Sequence, residues 1–240
     1  MGTLYIVATP IGNLEDITLR AIRILKEVDM IVCEDTRTTG ILLKHYDIKK
    51  SLRSYSARAS DARHKEIIEA LLAGKNIALV SDAGTPAISD PGMKIVRMIR
   101  EKYPEITISP IPGPSALVTA LSASGISAKE FTFLGFIPHK KGRQTMLKRI
   151  STEKNVFVFY ESSHRILKTL AELDAQGYNR EVVVARELTK KFEEIKTGKP
   201  TDLATYFKAN PIKLNGEFVV ITNSKSTFSD RTAKQQRFGR

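Results

Sequence analysis

Apolar residues recur along the chain with two alternating periods. Short β-branched runs at residues 4–8, 30–33, 77–81 and 107–111 predict buried strands. Between them, one apolar face at residues 17–28, 62–73 and 93–102 predicts amphipathic helices. Asp16 is placed to cap the first of these helices. This alternation of strands and helices predicts an α/β fold built on a parallel sheet.

A second series of the same kind begins near Phe131. It predicts strands at residues 155–160, 181–186 and 217–222, and helices at 140–150, 163–176 and 201–208. Between the two series, residues 113–128 are rich in Gly, Pro and small side chains, which indicates a domain boundary. We therefore expect an N-terminal α/β domain at 1–115, a C-terminal α/β domain at 116–224 and a tail at 225–240.

The charge balance favours an anionic partner. Lys and Arg total 38 against 26 acidic residues, a formal net charge of +12, and a positive field attracts polyanions such as nucleic acid. A small acidic substrate, or charge that serves only solubility, is also compatible with this count. The polar, basic tail is expected to be disordered, either as a solvated end or as a segment that holds RNA loosely.

Composition also predicts the compartment. No apolar run approaches the ~20 residues of a membrane-spanning helix, and the N-terminus shows no secretory leader. Cys33 is the only cysteine, so no intramolecular disulfide can form. A cytoplasmic protein without a membrane partner is therefore expected.

Four loops that follow predicted strands are rich in Gly, Pro and small polar residues. They span residues 9–13, 34–37, 81–86 with a continuation to 92, and 112–116. In open α/β sheets, ligands bind outside the carboxyl ends of strands. Glycine lets the backbone approach a ligand, and proline rigidifies the loop. Each loop alone is an ordinary turn, but together, at four consecutive strand ends, they predict a pocket for a small polar cofactor.

Several other chemistries lack their sequence signatures. The chain has no phosphate-binding Gly-x-x-x-x-Gly-Lys-Ser/Thr segment, and no Gly-x-Gly-x-x-Gly follows the first strand, which disfavours ATP and NAD. The four histidines show no ligand-like pairing, so no metal site is expected. A Gly-x-Ser-x-Gly nucleophile elbow is absent as well.

Two segments of the second half mix acids, bases and hydroxyls at predicted strand-to-helix transitions. They are residues 160–165, Tyr-Glu-Ser-Ser-His-Arg, and residues 186–194, Arg-Glu-Leu-Thr-Lys-Lys-Phe-Glu-Glu. Their carboxylates could accept a proton and their cations could hold phosphate. The alternative is that Ser162 or Ser163 caps a helix and that the charges form surface pairs.

Eight motifs in a fixed order resemble one known family. They are the four loops, residues 133–138 (Phe-Leu-Gly-Phe-Ile-Pro), the two segments just described, and residues 216–220 (Gly-Glu-Phe-Val-Val). Over about residues 2–224 the chain resembles the ribosomal RNA small subunit methyltransferase I family of the tetrapyrrole methylase superfamily. The resemblance implies two consecutive α/β domains with the active site in the inter-domain cleft, bound S-adenosylmethionine, and a homodimer. It also implies 2′-O-methylation of a decoding-centre cytidine ribose in 16S ribosomal RNA, within the small ribosomal subunit.

The resemblance implies which residues contact the cofactor, and the positions of charged residues at strand ends suggest the catalytic and RNA-binding candidates. Those expected at the cofactor are Pro10, Gly12, Asp82, Ala83, Gly84, Thr85, Pro112, Gly113, Ser115 and Ala116. For a direct in-line displacement, the candidate proton acceptors are Asp35, Glu161 and Glu187, of which Asp35 and Glu161 rank first because each follows a strand. Candidate RNA-phosphate partners are Arg37, Arg165, Arg186 and Lys190.

Three positions depart from the family pattern. Residues 56–60, Ser-Ala-Arg-Ala-Ser, replace a His/Glu/Asn-rich stretch, which predicts slower catalysis or another target nucleotide. Ser163 stands where proline is usual, and Asn215 where lysine is common; both are expected to be tolerated. Two other functions stay open: a small-molecule, tetrapyrrole-type methylase, and a non-catalytic RNA-binding module.

Overall fold

A computed structural model describes residues 1–56 and 60–224. The chain divides after Ser115 into two units, and the second begins at Ala116. The basic tail at 225–240 and residues 57–59 of the His-depleted stretch lie outside the described residues. Within the described ranges, no helix has the length and apolar character that crossing a bilayer requires.

The first unit contains one parallel sheet in which the strand order differs from the chain order. Its five strands are arranged β3-β2-β4-β1-β5, and every neighbouring pair is parallel. The elements are β1 (Thr3–Val7), α1 (Leu19–Glu27), β2 (Met30–Cys33), α2 (Thr36–His45), β3 (Leu52–Ser54), α3 (Asp61–Leu72), β4 (Ile77–Val80), α4 (Gly92–Lys102) and β5 (Thr107–Ile111).

Helices cover both faces of this sheet because its strands are apolar on both sides. Along β1, Val7 packs in one core with Ile24 of α1 and Leu42 of α2. Leu4 and Ile6 pack in a second core with α3 and α4. The helix that follows β1 therefore packs on one face of the sheet, and the helix that follows the neighbouring β4 packs on the other. The boundary between β1 and β4 is thus the topological switch point of the sheet.

Two expectations for the first unit are wrong in detail. Asp16 does not cap α1, because the helix begins three residues later and Asp16 ends a separate 3₁₀ turn, Leu14–Asp16. Thr18 caps α1 instead, and its hydroxyl oxygen accepts from the Ala21 N–H. Helix α2 was not predicted, since its first half is polar and its apolar positions come only near its end.

The second unit contains a mixed sheet with strand order β6-β7-β10-β8-β9. Only β6 and β7 are parallel, and the other three neighbouring pairs are antiparallel. The elements are α5 (Ala116–Ala123), β6 (Phe131–Phe136), α6 (Arg143–Thr152), β7 (Val156–Ser162), α7 (Ile166–Ala175), β8 (Val182–Arg186), β9 (Glu194–Gly198), α8 (Pro200–Ala209) and β10 (Glu217–Thr222). Alternate strand residues such as Phe157, Phe159 and Val220 form its core with α6, α7 and α8.

The second unit corrects three expectations. Residues 186–194 connect two antiparallel strands, β8 and β9, and not a strand to a helix. Neither Ser162 nor Ser163 caps α7, whose N-cap residue is Arg165 and has no side-chain cap hydrogen bond. The small-residue stretch after Ser115 forms helix α5, because Ala and Leu favour a helix once Pro114 is passed.

Candidate active site

The four Gly- and Pro-rich loops of the first unit lie at one edge of the sheet. They follow β1, β2, β4 and β5, which are adjacent and parallel. The strand that carries no such loop, β3, lies at the end of the sheet. The loops are therefore consecutive in space although β3 interrupts them in sequence, and the β1 and β4 loops flank the switch point, where ligands of open α/β sheets bind.

Hydrogen bonds join these loops to one another. Thr9 and Gly84 form a two-way backbone bridge, with N···O distances of 3.0 and 3.1 Å. The Thr9 hydroxyl donates to the carbonyl of Ser81 at 3.0 Å. The Thr85 hydroxyl donates to the carbonyl of Pro114 at 3.2 Å. Three of the four loops thus form one connected framework at the switch point.

Two glycines allow these loops to approach one another so closely. Gly84 has φ +81°, and a Cβ at this position would lie 3.3 Å from Cγ2 of Ile11. At Gly113, a Cβ would lie 2.9 Å from Cβ of Ala8. In the β1 loop, Pro10 is buried, whereas Gly12 is exposed. The predicted cofactor residues from Pro10 to Ser115 therefore share one edge, while Ala116 is the first residue of α5 in the second unit.

Four carboxylates occupy the same edge. Asp82 accepts from the Asp35 N–H at 3.0 Å, which links the β2 loop to the β4 loop. Asp90 accepts from the N–H groups of Ala87 and Gly92. Glu34 is largely exposed, but its carboxyl is partly shielded from solvent. This partial desolvation raises the pKa of the carboxyl, and the negative charges of Asp82, Asp90 and Asp35 raise it further. Glu34 was not among the predicted site residues, although its position directly after β2 could have identified it.

Asp35 is engaged by its own helix. One carboxylate oxygen accepts from the Arg37 N–H at 2.8 Å and so caps α2. The Arg37 guanidinium donates to both carboxylate oxygens, at 3.1 Å to Oδ1 and 2.6 Å to Oδ2. The hydrogen bonds from the Arg37 side chain and backbone lower the pKa of Asp35 to about 2. A carboxylate of such low basicity is a poor proton acceptor, and Arg37 itself is exposed.

Glu161 is enclosed in a network of hydrogen bonds inside the second unit. Its side chain has no exposed surface. It accepts from the Ser162 N–H at 2.8 Å and from the Thr169 hydroxyl at 2.7 Å. It also forms an ion pair with Arg165, whose Nε lies 2.7 Å from one carboxylate oxygen. Nη1 of Arg143 lies 3.8 Å away. These partners occupy the lone pairs that a proton acceptor would need.

Arg165 has a structural connection of the same kind. Besides its contact with Glu161, its Nη1 donates to the carbonyl of Ile137 at 2.8 Å. Arg143, which sequence reasoning missed, is 4% exposed and donates to Glu172 and Thr169. The network therefore holds the segment after β6 against α7, and the Arg165 guanidinium is engaged within the protein.

Glu187, Lys190 and Glu217 form a second cluster at the connection after β8. Nζ of Lys190 lies 2.9 Å from Glu187 and 3.0 Å from Glu217. Burial alone would raise the pKa of Glu187, but hydrogen bonds from Lys190 and from the Glu217 N–H outweigh it, so the pKa is lowered. Glu187 has φ +50°, and a Cβ on Gly216 would lie 2.5 Å from its side chain. Glycine at 216 therefore makes room for this cluster.

Arg186 is buried and donates to backbone carbonyls, to Phe192 at 2.7 Å and to Asn215 at 3.2 Å. Both Arg186 and Glu161 pair with Phe218 of β10. The candidates of the second unit thus share one edge of its sheet. Of the four cations predicted to contact RNA, Arg37 alone is fully exposed within the described residues. The structure leaves these contacts, and the cleft between the units, as predictions.

In residues 1–56 and 60–224, no group of three or more His, Cys, Asp or Glu side chains could hold a metal ion. Cys33 is a buried free thiol at the end of β2, and burial raises its pKa.

Comparison with known proteins identifies relatives over most of the chain. Residues 3–204 match the family described as Tetrapyrrole (Corrin/Porphyrin) Methylases. A Thermotoga maritima protein named Ribosomal RNA small subunit methyltransferase I is 46% identical over 94% of this chain and 100% of its own length. Proteins of the same name from Pasteurella multocida and Halalkalibacterium halodurans are 47% and 48% identical, over 93% and 92% of this chain and 80% and 75% of theirs.

Solved structures share the fold at much lower identity. The methyltransferase CobJ is 19% identical with a TM-score of 0.69, over 95% of this chain and 96% of its own. Uroporphyrin-III C-methyl transferase from Thermus thermophilus, complexed with S-adenyl homocysteine, is 16% identical with a TM-score of 0.63, over 92% of this chain and 97% of its own. The chain therefore belongs to the tetrapyrrole methylase family and, within it, to the ribosomal RNA small subunit methyltransferase I family.

Proposed function

We propose that this protein transfers a methyl group from S-adenosylmethionine to the ribose 2′-oxygen of a decoding-centre cytidine in 16S ribosomal RNA. One observation carries the proposal: four adjacent parallel strands end in a hydrogen-bonded loop framework at a switch point. The chain that contains this framework is 46–47% identical in sequence to proteins named Ribosomal RNA small subunit methyltransferase I.

The residues of this edge fit S-adenosylmethionine in charge and in shape. The cofactor carries a sulfonium and an ammonium group, and the carboxylates of Asp82 and Asp90 supply negative charge at the edge. Gly84 and Gly113 hold the loops at separations that a larger side chain would prevent. We assign cofactor binding to the framework, with Asp82–Thr85 and Pro112–Ser115 at its centre.

The protein's contribution to the reaction is positioning and proton removal. S-adenosylmethionine supplies an activated methyl group when bound. A rigid framework holds the two reactants in line, which converts a bimolecular step into an effectively intramolecular one. A carboxylate at the edge accepts the hydroxyl proton. RNA binding is assigned to Arg37 and to cations of the second half, since most of the net positive charge lies after residue 115.

Mass-spectrometric mapping of ribose methylation tests the proposal directly. Small-subunit ribosomal RNA from cells with and without the protein is digested, and 2′-O-methylated nucleotides are located. We expect one decoding-centre cytidine to lose its methyl group in the deletion strain and to regain it with the wild-type gene. Unchanged methylation at every cytidine refutes the proposal, and loss at another nucleotide refutes the assigned position.

The two rival functions give different results in vitro. A tetrapyrrole-type methylase would transfer methyl groups to an anionic small molecule without any ribosomal substrate. A non-catalytic RNA-binding module would show no affinity for S-adenosylmethionine in calorimetry. Methyl transfer that requires ribosomal RNA, and that falls steeply with salt, favours the proposed function over both.

The cellular setting belongs to the same proposal. We place the protein in the cytoplasm, because Cys33 is its only cysteine and a reducing compartment fits this composition. We further propose a homodimer that acts on the small ribosomal subunit, as the family resemblance implies. Light scattering of the purified protein tests the dimer. Comparing protein-free 16S RNA with assembled subunits as substrates tests the ribosomal context.

A further inference from the structure

Glu34 has the properties of a proton acceptor that the three predicted carboxylates lack. It follows β2 directly, at the edge where the loop framework lies. Its backbone is fixed, since the Ser54 hydroxyl donates to its carbonyl oxygen at 3.3 Å. Its side chain is exposed, and among the described residues no hydrogen bond or ion pair engages its carboxylate.

The neighbouring carboxylates have other functions. Asp35 caps α2 and pairs with Arg37. Asp82 accepts from the Asp35 N–H, and Asp90 holds the turn before α4. Glu161 is enclosed in the second unit. Among the described residues at this edge of the first unit, Glu34 is the carboxylate whose oxygens have no hydrogen-bond or ion-pair partner.

We propose that Glu34 is the catalytic base that removes the proton of the substrate hydroxyl. In this step the ribose 2′-oxygen attacks the methyl carbon, so a C–O bond forms and the C–S bond breaks. The electron pair of the broken bond stays on sulfur, which becomes a neutral thioether. The hydroxyl proton passes to the Glu34 carboxylate and then to solvent. The inference rests on the proposed function. Glu34 was not among the proton acceptors predicted from the sequence.

The surroundings of Glu34 increase its basicity. Partial burial raises the pKa of its carboxyl, and Asp82, Asp90 and Asp35 raise it further because they disfavour a fourth negative charge. Arg37, the cation that these loops carry, is paired with Asp35. A carboxylate with a raised pKa is a stronger general base, and general-base catalysis contributes roughly 10²- to 10⁴-fold to a rate.

The decisive comparison is Glu34→Gln against Glu105→Gln. Both variants remove one negative charge from an exposed Glu of the first unit. Glu105 precedes β5, so it lies at the opposite edge of the same sheet. We expect Glu34→Gln to lower the single-turnover rate of methyl transfer to small-subunit RNA by about 100-fold or more. S-adenosylmethionine affinity by calorimetry and the thermal midpoint should stay close to wild type, and Glu105→Gln should match wild type throughout.

Two further measurements keep the test independent of that one variant. The wild-type rate should rise with pH until Glu34 is ionised, and Glu34→Asp should keep a reduced rate with a shifted acid limb. In ¹³C-carboxyl NMR, the resonance missing from Glu34→Gln should titrate above an ordinary Glu. The inference is overturned if Glu34→Gln keeps its rate within threefold, or if its defect is lost cofactor affinity alone. If the wild-type protein transfers no methyl group to RNA, the proposed function is refuted instead. The NMR titration then still tests whether the pKa of the Glu34 carboxyl is raised, independently of any RNA substrate.

Discussion

Replacing Glu161 by Gln separates a structural role of this residue from a catalytic one. The carboxylate accepts from the Ser162 N–H and the Thr169 hydroxyl. It also pairs with Nε of Arg165 at 2.7 Å and lies 3.8 Å from Nη1 of Arg143. Gln has the same shape but presents an NH₂ group in place of one oxygen. One donor of the network would then face another donor, and the two arginines would lose a buried counter-charge.

The cost follows from the burial of the network. The side chain of Glu161 is 0% exposed, and those of Arg143 and Arg165 are 4% and 13% exposed. Removing one partner of a buried ion pair typically costs about 3–5 kcal/mol. The lower end applies here, because Arg143 keeps Glu172 and Arg165 keeps the carbonyl of Ile137. About 3 kcal/mol corresponds to a fall of roughly 10 °C in the thermal midpoint of the affected unit.

Urea and thermal unfolding of the purified variant measure this cost. Glu153→Gln is the matched control in the same unit, because its pair with Arg149 is exposed, with 39% of the Glu153 side chain accessible. An exposed pair contributes at most about 1 kcal/mol. We therefore expect Glu153→Gln to unfold close to wild type and Glu161→Gln to unfold well below it, with methyl transfer retained at temperatures where the variant is folded.

The opposite pattern would refute the reasoning. If Glu161→Gln unfolds like wild type but transfers no methyl groups, Glu161 is a catalytic residue and its hydrogen bonds contribute little to stability. If both stability and activity are unaffected, the network has neither role.

Three further predictions follow from individual contacts. Gly216→Ala should destabilise the protein more than Gly177→Ala in urea unfolding. Both glycines have positive φ, but only a Cβ at residue 216 would clash with another side chain, that of Glu187 at 2.5 Å. Equal losses of unfolding free energy in the two variants would contradict this. Gly84→Ala should weaken S-adenosylmethionine binding about tenfold or more in calorimetry, because the added Cβ strains the loop by roughly 1–3 kcal/mol. Gly74→Ala is the control: Gly74 has φ +88° but open space around it, so this variant should lose stability and keep its cofactor affinity. Unchanged S-adenosylmethionine affinity in Gly84→Ala would exclude that loop from the cofactor site. The stability that the charge of Asp35 contributes should be complete above its unfolded pKa near 4 and disappear as pH falls through about 2. The difference in thermal midpoint between wild type and Asp35→Asn should therefore be constant above pH ~4 and shrink below it. A difference that changes near pH 7 would show that another group is responsible.

The local pattern of the chain determined most of its elements. Strands at 30–33, 107–111 and 217–222 were predicted with the bounds that the structure has. Periodicity and propensity act over a few residues, so a sequence window contains the necessary information. Helices α2 and α5 were missed because one begins with polar residues and the other has almost no polar face.

The arrangement of strands was decided by tertiary structure. Sequence placed four similar loops after four strands, but only the order β3-β2-β4-β1-β5 makes those strands neighbours. In the second unit the same alternation of elements produced a mostly antiparallel sheet. Strand order depends on contacts between residues far apart in the chain, and a local pattern carries no information about them.

The roles of the charged residues also depended on tertiary structure. The sequence identified Asp35, Glu161 and Arg186 as groups able to act on a ligand, since it shows which groups are present. It does not show their partners: Arg165 donates to Ile137, 28 positions away, and Arg186 to Asn215, 29 positions away. Whether a carboxylate is a cap, a buried counter-charge or a free base is fixed by which atoms surround it, and only the folded chain brings those atoms together.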